Sequence, residues 1–147
     1  VSSSASSVLF ACTHNAVRSP MAEGLLKFLR GRRIFVDSVG VRPGVLDPFV
    51  VAVMDEIGID LSRHRPKSFD DLEDTSFDEV ISLSPEAHHR AIEMTRVSAC
   101  AVTYWPTFDP SIVEGSRDTR LEAYRQTRDL LMARIKLHFG IIPMADL

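Results

Sequence analysis

At 147 residues, 45% of them hydrophobic, the chain is sized for one domain that buries a continuous core without disulfides or a structural metal. Its 17 basic and 20 acidic side chains nearly cancel, which leaves no basic field for nucleic acid or an anionic membrane surface. No stretch approaches the roughly 18 apolar residues of a bilayer span.

The opening Val1 to Ser7 is Ser/Ala-rich and lacks the basic n-region and long apolar core of a signal peptide. Residues 1–6 are read as a flexible tail on a single domain covering 1–147, in a cytoplasmic protein. Val8 to Ala11 is a short apolar run that reads as a buried strand, and Pro20 opens a helix with Met21, Leu25, Phe28 and Leu29 on one face. A second strand is expected over Ile34 to Val39. Beyond Asp47-Pro48, the residues Val50, Val53, Met54 and Ile57 give a second helix that stops at Gly58.

Asp60 to Asp78 is polar and interrupted by Pro66, with a short helix near Phe69 to Leu72. Glu79 to Leu83 resumes as strand, and Ser84-Pro85 caps a helix carrying Ala87, Ala91 and Met94. Ala101 to Tyr104 is the fourth strand. After Gly115, the spacing of Leu121, Tyr124, Leu131, Ile135 and Phe139 predicts a last helix that ends by Gly140. Strands alternating with helices imply an α/β fold, a small parallel sheet with helices on both faces and its ligand site beyond the carboxyl ends of the strands.

The segment Cys12-Thr13-His14-Asn15-Ala16-Val17-Arg18-Ser19 lies between the first strand and the first helix. Loop and helix-start N–H groups can converge there on one oxyanion, with Thr13, His14, Asn15, Ala16 and Val17 lining it. The Arg18 fork can grip two phosphate oxygens, and the same positive surroundings favour a thiolate nucleophile at Cys12. Ser19 can donate a hydrogen bond to that thiolate, and Asn15 can brace the loop. A lone buried cysteine is ordinarily a small hydrophobe, but the spacing to Arg18-Ser19 and the following Pro20 points to catalysis. The Gly-rich stretch and terminal Lys of a nucleotide-binding loop are missing.

Asp109, in Trp105-Pro106-Thr107-Phe108-Asp109-Pro110, follows the fourth strand and can protonate a leaving oxygen. Its plain alternative is a turn-starting residue before Pro110. Arg42, Trp105 and Phe108 are candidates for the pocket rim. His14 reads as solvent-facing or loop-bracing, and His64, His88, His89 and His138 as surface histidines with no second ligand at metal spacing. Neither a metal nor an organic cofactor is expected. Cys12 and Cys100, the two cysteines present, read as reduced thiols.

The Cys12-to-Ser19 loop with Pro20-Met21-Ala22-Glu23, together with Ser38-Val39-Gly40, Glu56-Ile57-Gly58-Ile59-Asp60 and Asp109-Pro110, resembles the low-molecular-weight protein tyrosine phosphatase superfamily over nearly the whole chain. That superfamily includes arsenate reductases. The resemblance implies a four-stranded parallel sheet in order 2-1-3-4 in a three-layer sandwich. It also implies Cys12 as nucleophile, Arg18 as phosphate clamp, Ser19 as thiolate partner, Asn15 as loop organiser and Asp109 as general acid. The implied activity is hydrolysis of phosphomonoesters, protein phosphotyrosine above all, through a phosphocysteine.

Three departures stand out. His14 replaces the family's usual glycine, Val17 stands where many members carry a second cysteine, and Ser111 to Ser116 replace a tyrosine-rich stretch. Two alternatives follow. One is arsenate reduction, which here calls for an external thiol donor, because Ser84 sits about where a first relay cysteine would stand and Cys100 is not at relay spacing. The other is a phosphate-binding or regulatory module of low turnover. The partner is then a phosphorylated protein, a small phosphoester or another tetrahedral oxyanion.

Overall fold

A computed structural model of the chain describes residues 2–141. Four strands, β1 (Ser7–Cys12), β2 (Phe35–Gly40), β3 (Glu79–Ser82) and β4 (Ala101–Tyr104), form one all-parallel sheet in the order β2-β1-β3-β4. Cys12 pairs in register with Gly40, so the central strand and its neighbour end together. In β1, Val8, Leu9, Phe10 and Ala11 are all fully buried, as expected of a central parallel strand covered on both faces.

The alternation of side chains along β1 divides the core in two. Val8, Phe10 and Cys12 join the cluster built with α1 (Arg18–Arg30), α2 (Pro48–Asp55) and α4 (Arg117–His138), while Leu9 and Ala11 pack with α3 (Pro85–Met94) and with Phe69 and Phe77. The sheet is therefore the middle of three layers, in the strand order that the family resemblance implied. No described helix is long and apolar enough to cross a membrane.

Local signals account for most helix starts. Asp47 caps α2 by accepting from Phe49 N–H, Ser84 caps α3 by accepting from Ala87 N–H, and each is followed by proline at the first helical position. Ser116 caps α4, five residues before the sequence pattern becomes periodic at Leu121. Helix α1 starts at Arg18 rather than Pro20, because proline is tolerated anywhere its missing N–H would have no partner, including the first turn. Phe28, expected on the core face of α1, is 59% exposed. Past α2, Ile57 lies outside the helix, which Gly58 (φ 81°) closes while Ile59 N–H bonds back to Met54 O.

The opening segment, expected as a flexible tail, is tied down over its described part. Ser3 N–H donates to His138 O, and Ser3 Oγ donates to Glu79 Oε1 at 2.9 Å. Glu79 is 5% exposed and also receives Thr103 Oγ1 at 2.7 Å and His138 Nε2 at 2.7 Å. His138 is thus a partner of this buried carboxylate rather than a surface histidine. His88 is likewise held, stacked on Tyr104 with ring centroids 4.4 Å apart and bonded to Ser82 Oγ. Replacing Glu79 with alanine strands three donors at once. Urea denaturation should show a loss of about 1–3 kcal/mol, the cost of unsatisfied buried polar groups.

Candidate active site

Cys12 is the last residue of β1, and the chain then curls through Thr13 to Val17 into the first turn of α1. The loop's carbonyls are engaged on its outer side. Cys12 O, Thr13 O, His14 O and Ala16 O accept from the N–H groups of Val41, Arg42, Gly44 and Asp47 respectively. Because each trans peptide holds its N–H opposite its C=O, outward carbonyls aim the following N–H groups inward. Asn15 N–H accordingly donates to Cys12 Sγ at 3.3 Å. Val17, at the helix N-cap, offers no side-chain acceptor, so the first-turn N–H groups of α1 have no capping side chain to satisfy them.

Two backbone features make the curl possible. Asn15 has φ of 52°, a left-handed conformation that asparagine tolerates better than most residues. At Gly40 a Cβ would stand 2.6 Å from Asn15 N and 2.7 Å from His14 C, so the loop lies directly against a bare glycine.

A hydrogen-bond network behind the loop sets the direction of each bond. Lys67 N–H, which can only donate, reaches Asn15 Oδ1 at 3.0 Å and so identifies the oxygen end of the amide. Asn15 Nδ2 then donates to Ser19 Oγ at 2.8 Å and to Ser38 Oγ at 2.9 Å. Each serine, having accepted, has its own O–H to give. Ser19 lies 2.8 Å from Cys12 Sγ, and Ser38 donates to Glu23 Oε1. The sulfur therefore meets the Asn15 N–H and shares the Ser19 hydroxyl with Val39 O, which lies 3.3 Å from Ser19 Oγ; a thiolate at Cys12 would draw that hydroxyl as a second donor.

His64 Nε2 lies 3.1 Å from Asn15 Oδ1 and 3.2 Å from Asn15 O, both acceptors, so Nε2 carries the proton. Burial pushes His64 toward its neutral form, while the Glu23 carboxylate, 4.0 Å from Nδ1, pulls the other way. The expectation of a surface histidine at 64 is corrected: its side chain is 11% exposed and braces the loop. Thr13 Oγ1 ties the loop to α3 by donating to Ser84 Oγ at 3.0 Å.

Arg18 is 8% exposed. Its NH1 donates to Thr107 O at 3.0 Å, and its NH2 lies 3.8 Å from Asp109 Oδ2. Asp109 takes the turn-starting place that was its plain alternative. It caps the short turn Pro110–Ile112, with Oδ1 accepting from Ser111 N–H and Ser111 Oγ, while its other oxygen stays near Arg18.

These groups surround a pocket of about 470 Å³ whose wall includes Cys12, Ala16, Val17, Arg18, Asp109 and Ser111. His14 is exposed at the mouth beside Gly44. Val45, Leu46, Asp47, Phe49 and Arg120 complete the far wall. Asp47 Oδ2 accepts the Tyr124 O–H, and burial with that contact pushes the Tyr124 phenol well above its ordinary range.

None of the three rim candidates stands in the pocket wall. Arg42 is turned to the surface, where NH1 meets Glu86 Oε2 at 2.7 Å. Trp105 follows the strand alternation into the core, its ring 6.3 Å from Phe10 and edge-on to His138. Phe108 faces a separate groove with Thr107, Val113 and Leu130, while Asp109 lines the pocket. The actual far wall and the bracing set of Ser38, Glu23, His64 and Lys67 went unassigned from sequence; Ser38 and Glu23 carried a signal, in Ser38-Val39-Gly40 and Pro20-Met21-Ala22-Glu23.

Among the described residues no three His, Cys, Asp or Glu side chains converge as metal ligands. Residues 7–138 match the family model of low molecular weight phosphotyrosine protein phosphatase. An arsenate reductase of Halalkalibacterium halodurans is 32% identical over 129 residues, covering 88% of this chain and 91% of that protein. A glutaredoxin arsenate reductase of Synechocystis is 38% identical over 76 residues, 52% of this chain and 58% of that protein. The solved structure of YwlE arginine phosphatase, a cysteine-to-serine mutant with a phosphorylated active-site serine, aligns over 88% of this chain and 91% of its own. Its TM-score is 0.71 at 27% identity, and YwlE comes from Bacillus subtilis.

The close approach at Gly40 gives a direct test. Gly40→Ala must displace the loop backbone by a sizeable fraction of an ångström, and misplacements near 1 Å cost on the order of 100-fold in turnover. The variant should lose affinity for orthovanadate, measured by calorimetry, while circular dichroism still reports a folded α/β domain.

Proposed function

The chain belongs to the low molecular weight phosphotyrosine protein phosphatase family, and from that premise we propose that it hydrolyses phosphomonoesters of proteins, phosphotyrosine first among them, through a phosphocysteine at Cys12. The observation that carries this reading is the environment of Cys12 Sγ, which has Ser19 Oγ at 2.8 Å and accepts from Asn15 N–H at 3.3 Å in a pocket shared with Arg18 and Asp109.

The reaction has two steps. The Cys12 thiolate attacks phosphorus in line, the bond to the leaving oxygen breaks, and Asp109 gives that oxygen its proton. Arg18 and the inward N–H groups of the loop hold the equatorial oxygens as their charge spreads. Water then attacks the phosphocysteine, Asp109 takes its proton, and the S–P bond breaks to release inorganic phosphate and restore the thiolate. Arg18 and the loop amides supply the electrostatic stabilisation, so the scheme routes no step through a metal or organic cofactor.

Arsenate reduction is the second reading, favoured by the names of the matched relatives. Arsenate is nearly isosteric with phosphate and would occupy the same loop. Cys100, however, packs with the core cluster on the sheet face opposite Cys12, and positions 17 and 84 hold valine and serine. Reduction by this chain would draw its two electrons from external thiols.

Two substitutions test the phosphatase scheme. Cys12→Ser should abolish hydrolysis of p-nitrophenyl phosphate and phosphotyrosine peptides while leaving phosphate binding measurable by calorimetry. Asp109→Asn should lower kcat by about 10²–10⁴ for alkyl phosphates, whose leaving groups need the proton, and far less for p-nitrophenyl phosphate. Fast arsenite formation with glutathione or mycothiol, together with negligible hydrolysis of every phosphoester, would instead establish the second reading.

A further inference from the structure

The far wall of the pocket is built around Phe49, and the ring is already occupied. Tyr124 packs against it with centroids 5.3 Å apart and planes at 31°. The Arg120 guanidinium lies 4.4 Å from the ring centroid and that of Arg117 lies 5.3 Å from it. An incoming substrate therefore meets guanidinium at this ring as well as bare aromatic surface.

These two cations differ from Arg18 in the site and from Arg125 and Arg128 further along α4; Arg134, which also has no carboxylate partner among the described residues, donates to Pro106 O instead. Arg18, Arg42, Arg90, Arg125 and Arg128 each have a carboxylate within 4.0 Å. Among the described residues, neither Arg117 nor Arg120 has one. The carboxylates of the pocket are engaged elsewhere: Asp47 accepts from Phe49 N–H and Tyr124 O–H, and Asp109 accepts from Ser111 and faces Arg18. Arg120 lines the same pocket as Cys12 and Arg18. Stacking on Phe49 restrains both guanidiniums while leaving their N–H edges free to donate, so binding an anion there costs little extra side-chain ordering.

We infer that Arg117 and Arg120 form a second anion subsite, which selects substrates carrying a carboxylate beside the phosphoester, and that its natural occupant is an Asp or Glu flanking the phosphorylated residue of a protein. This rests on the phosphatase reading for turnover, but the subsite itself can be measured without turnover. The carboxylate makes a charge-assisted, bidentate contact with a guanidinium edge while the phosphate sits in the Cys12 loop. A small carboxylated phosphoester offers the same chemistry, so the experiment includes both sources.

The test compares kcat/KM for paired substrates in 50 mM and 500 mM salt: a phosphotyrosine peptide with flanking Asp residues against its Asn counterpart, and 4-carboxyphenyl phosphate against phenyl phosphate. The wild-type protein should prefer the acidic peptide by roughly ten-fold at low salt, with the preference shrinking at high salt as the contact is screened. In the Arg117→Gln/Arg120→Gln double variant that ratio should fall to within about two-fold of unity. Arg117→Glu, at an exposed position, should invert it.

The same peptides titrated calorimetrically into Cys12→Ser protein should show the preference in Kd, whether or not the wild-type enzyme turns them over. Absent turnover with a retained Kd preference would sink the phosphatase reading and leave the subsite standing. Turnover with equal rates for both peptides, or a preference unchanged in the double variant, would overturn the subsite. A preference confined to 4-carboxyphenyl phosphate would overturn the assignment of a protein occupant.

Discussion

The site depends on the orientation of one side-chain amide. Asn15 sits in a left-handed backbone conformation and places its amide behind the loop, where Lys67 N–H fixes its oxygen. That single constraint fixes the nitrogen as a double donor and leaves two serine hydroxyls free to donate in turn, Ser38 to Glu23 and Ser19 toward Cys12 Sγ or Val39 O. Were the amide reversed, Lys67 N–H would face another donor and both serines would lose their polarity. A buried network of this kind is strong when every member is satisfied and costly when one is not. Among the described residues no buried side-chain nitrogen or oxygen lacks a partner.

The sheet supplies the fixed points for that network. β1 and β2 end in register at Cys12 and Gly40, so the loop leaves one strand and rests against the end of its neighbour. The segment from Val41 to Asp47 then satisfies the outward carbonyls. Parallel pairing places these chain ends on one edge of the sheet, and the loop after β4 arrives at the same edge with Thr107 and Asp109. The carbonyl of Thr107 and the carboxylate of Asp109 hold Arg18 over the loop, a geometry that one flexible side chain could not keep alone.

The chain's matches are named as arsenate reductases and as phosphatases, and two features of its own pocket walls stand out. On one side stands His14, exposed at the mouth next to Gly44. Opposite it, Phe49 is packed by Tyr124 and flanked by two arginines from the start of α4. α4 thus contributes twice: Leu121, Tyr124, Leu131 and Ile135 fill the core, while its first turn supplies charge to the pocket.

The elements were legible because each rests on local physics. The apolar run Val8 to Ala11, the capping pairs Asp47-Pro48 and Ser84-Pro85, and the stop at Gly58 each state their structure within a few residues. The spacing of Cys12, Arg18 and Ser19 marked the loop as a candidate anion site with Asn15 as its brace and Asp109 as a second group, and the resemblance added the strand order. Bonds between distant residues left no such trace. His64 and Asn15 are 49 positions apart and Lys67 and Asn15 are 52 apart, so neither the bracing role of His64 nor the direction of the Asn15 amide could be read from the chain. The wall failed for a different reason. Trp105, Phe108 and Asp109 lie in one short segment beyond β4, but Trp105 packs on the core, Phe108 faces another groove and Asp109 lines the pocket, and those directions are set only once β4 has docked on β3. Local sequence determined where the backbone curls between β1 and α1; the tertiary structure decided which side chains stand behind that curl and across from it, because contacts between distant residues exist only after the layers have packed.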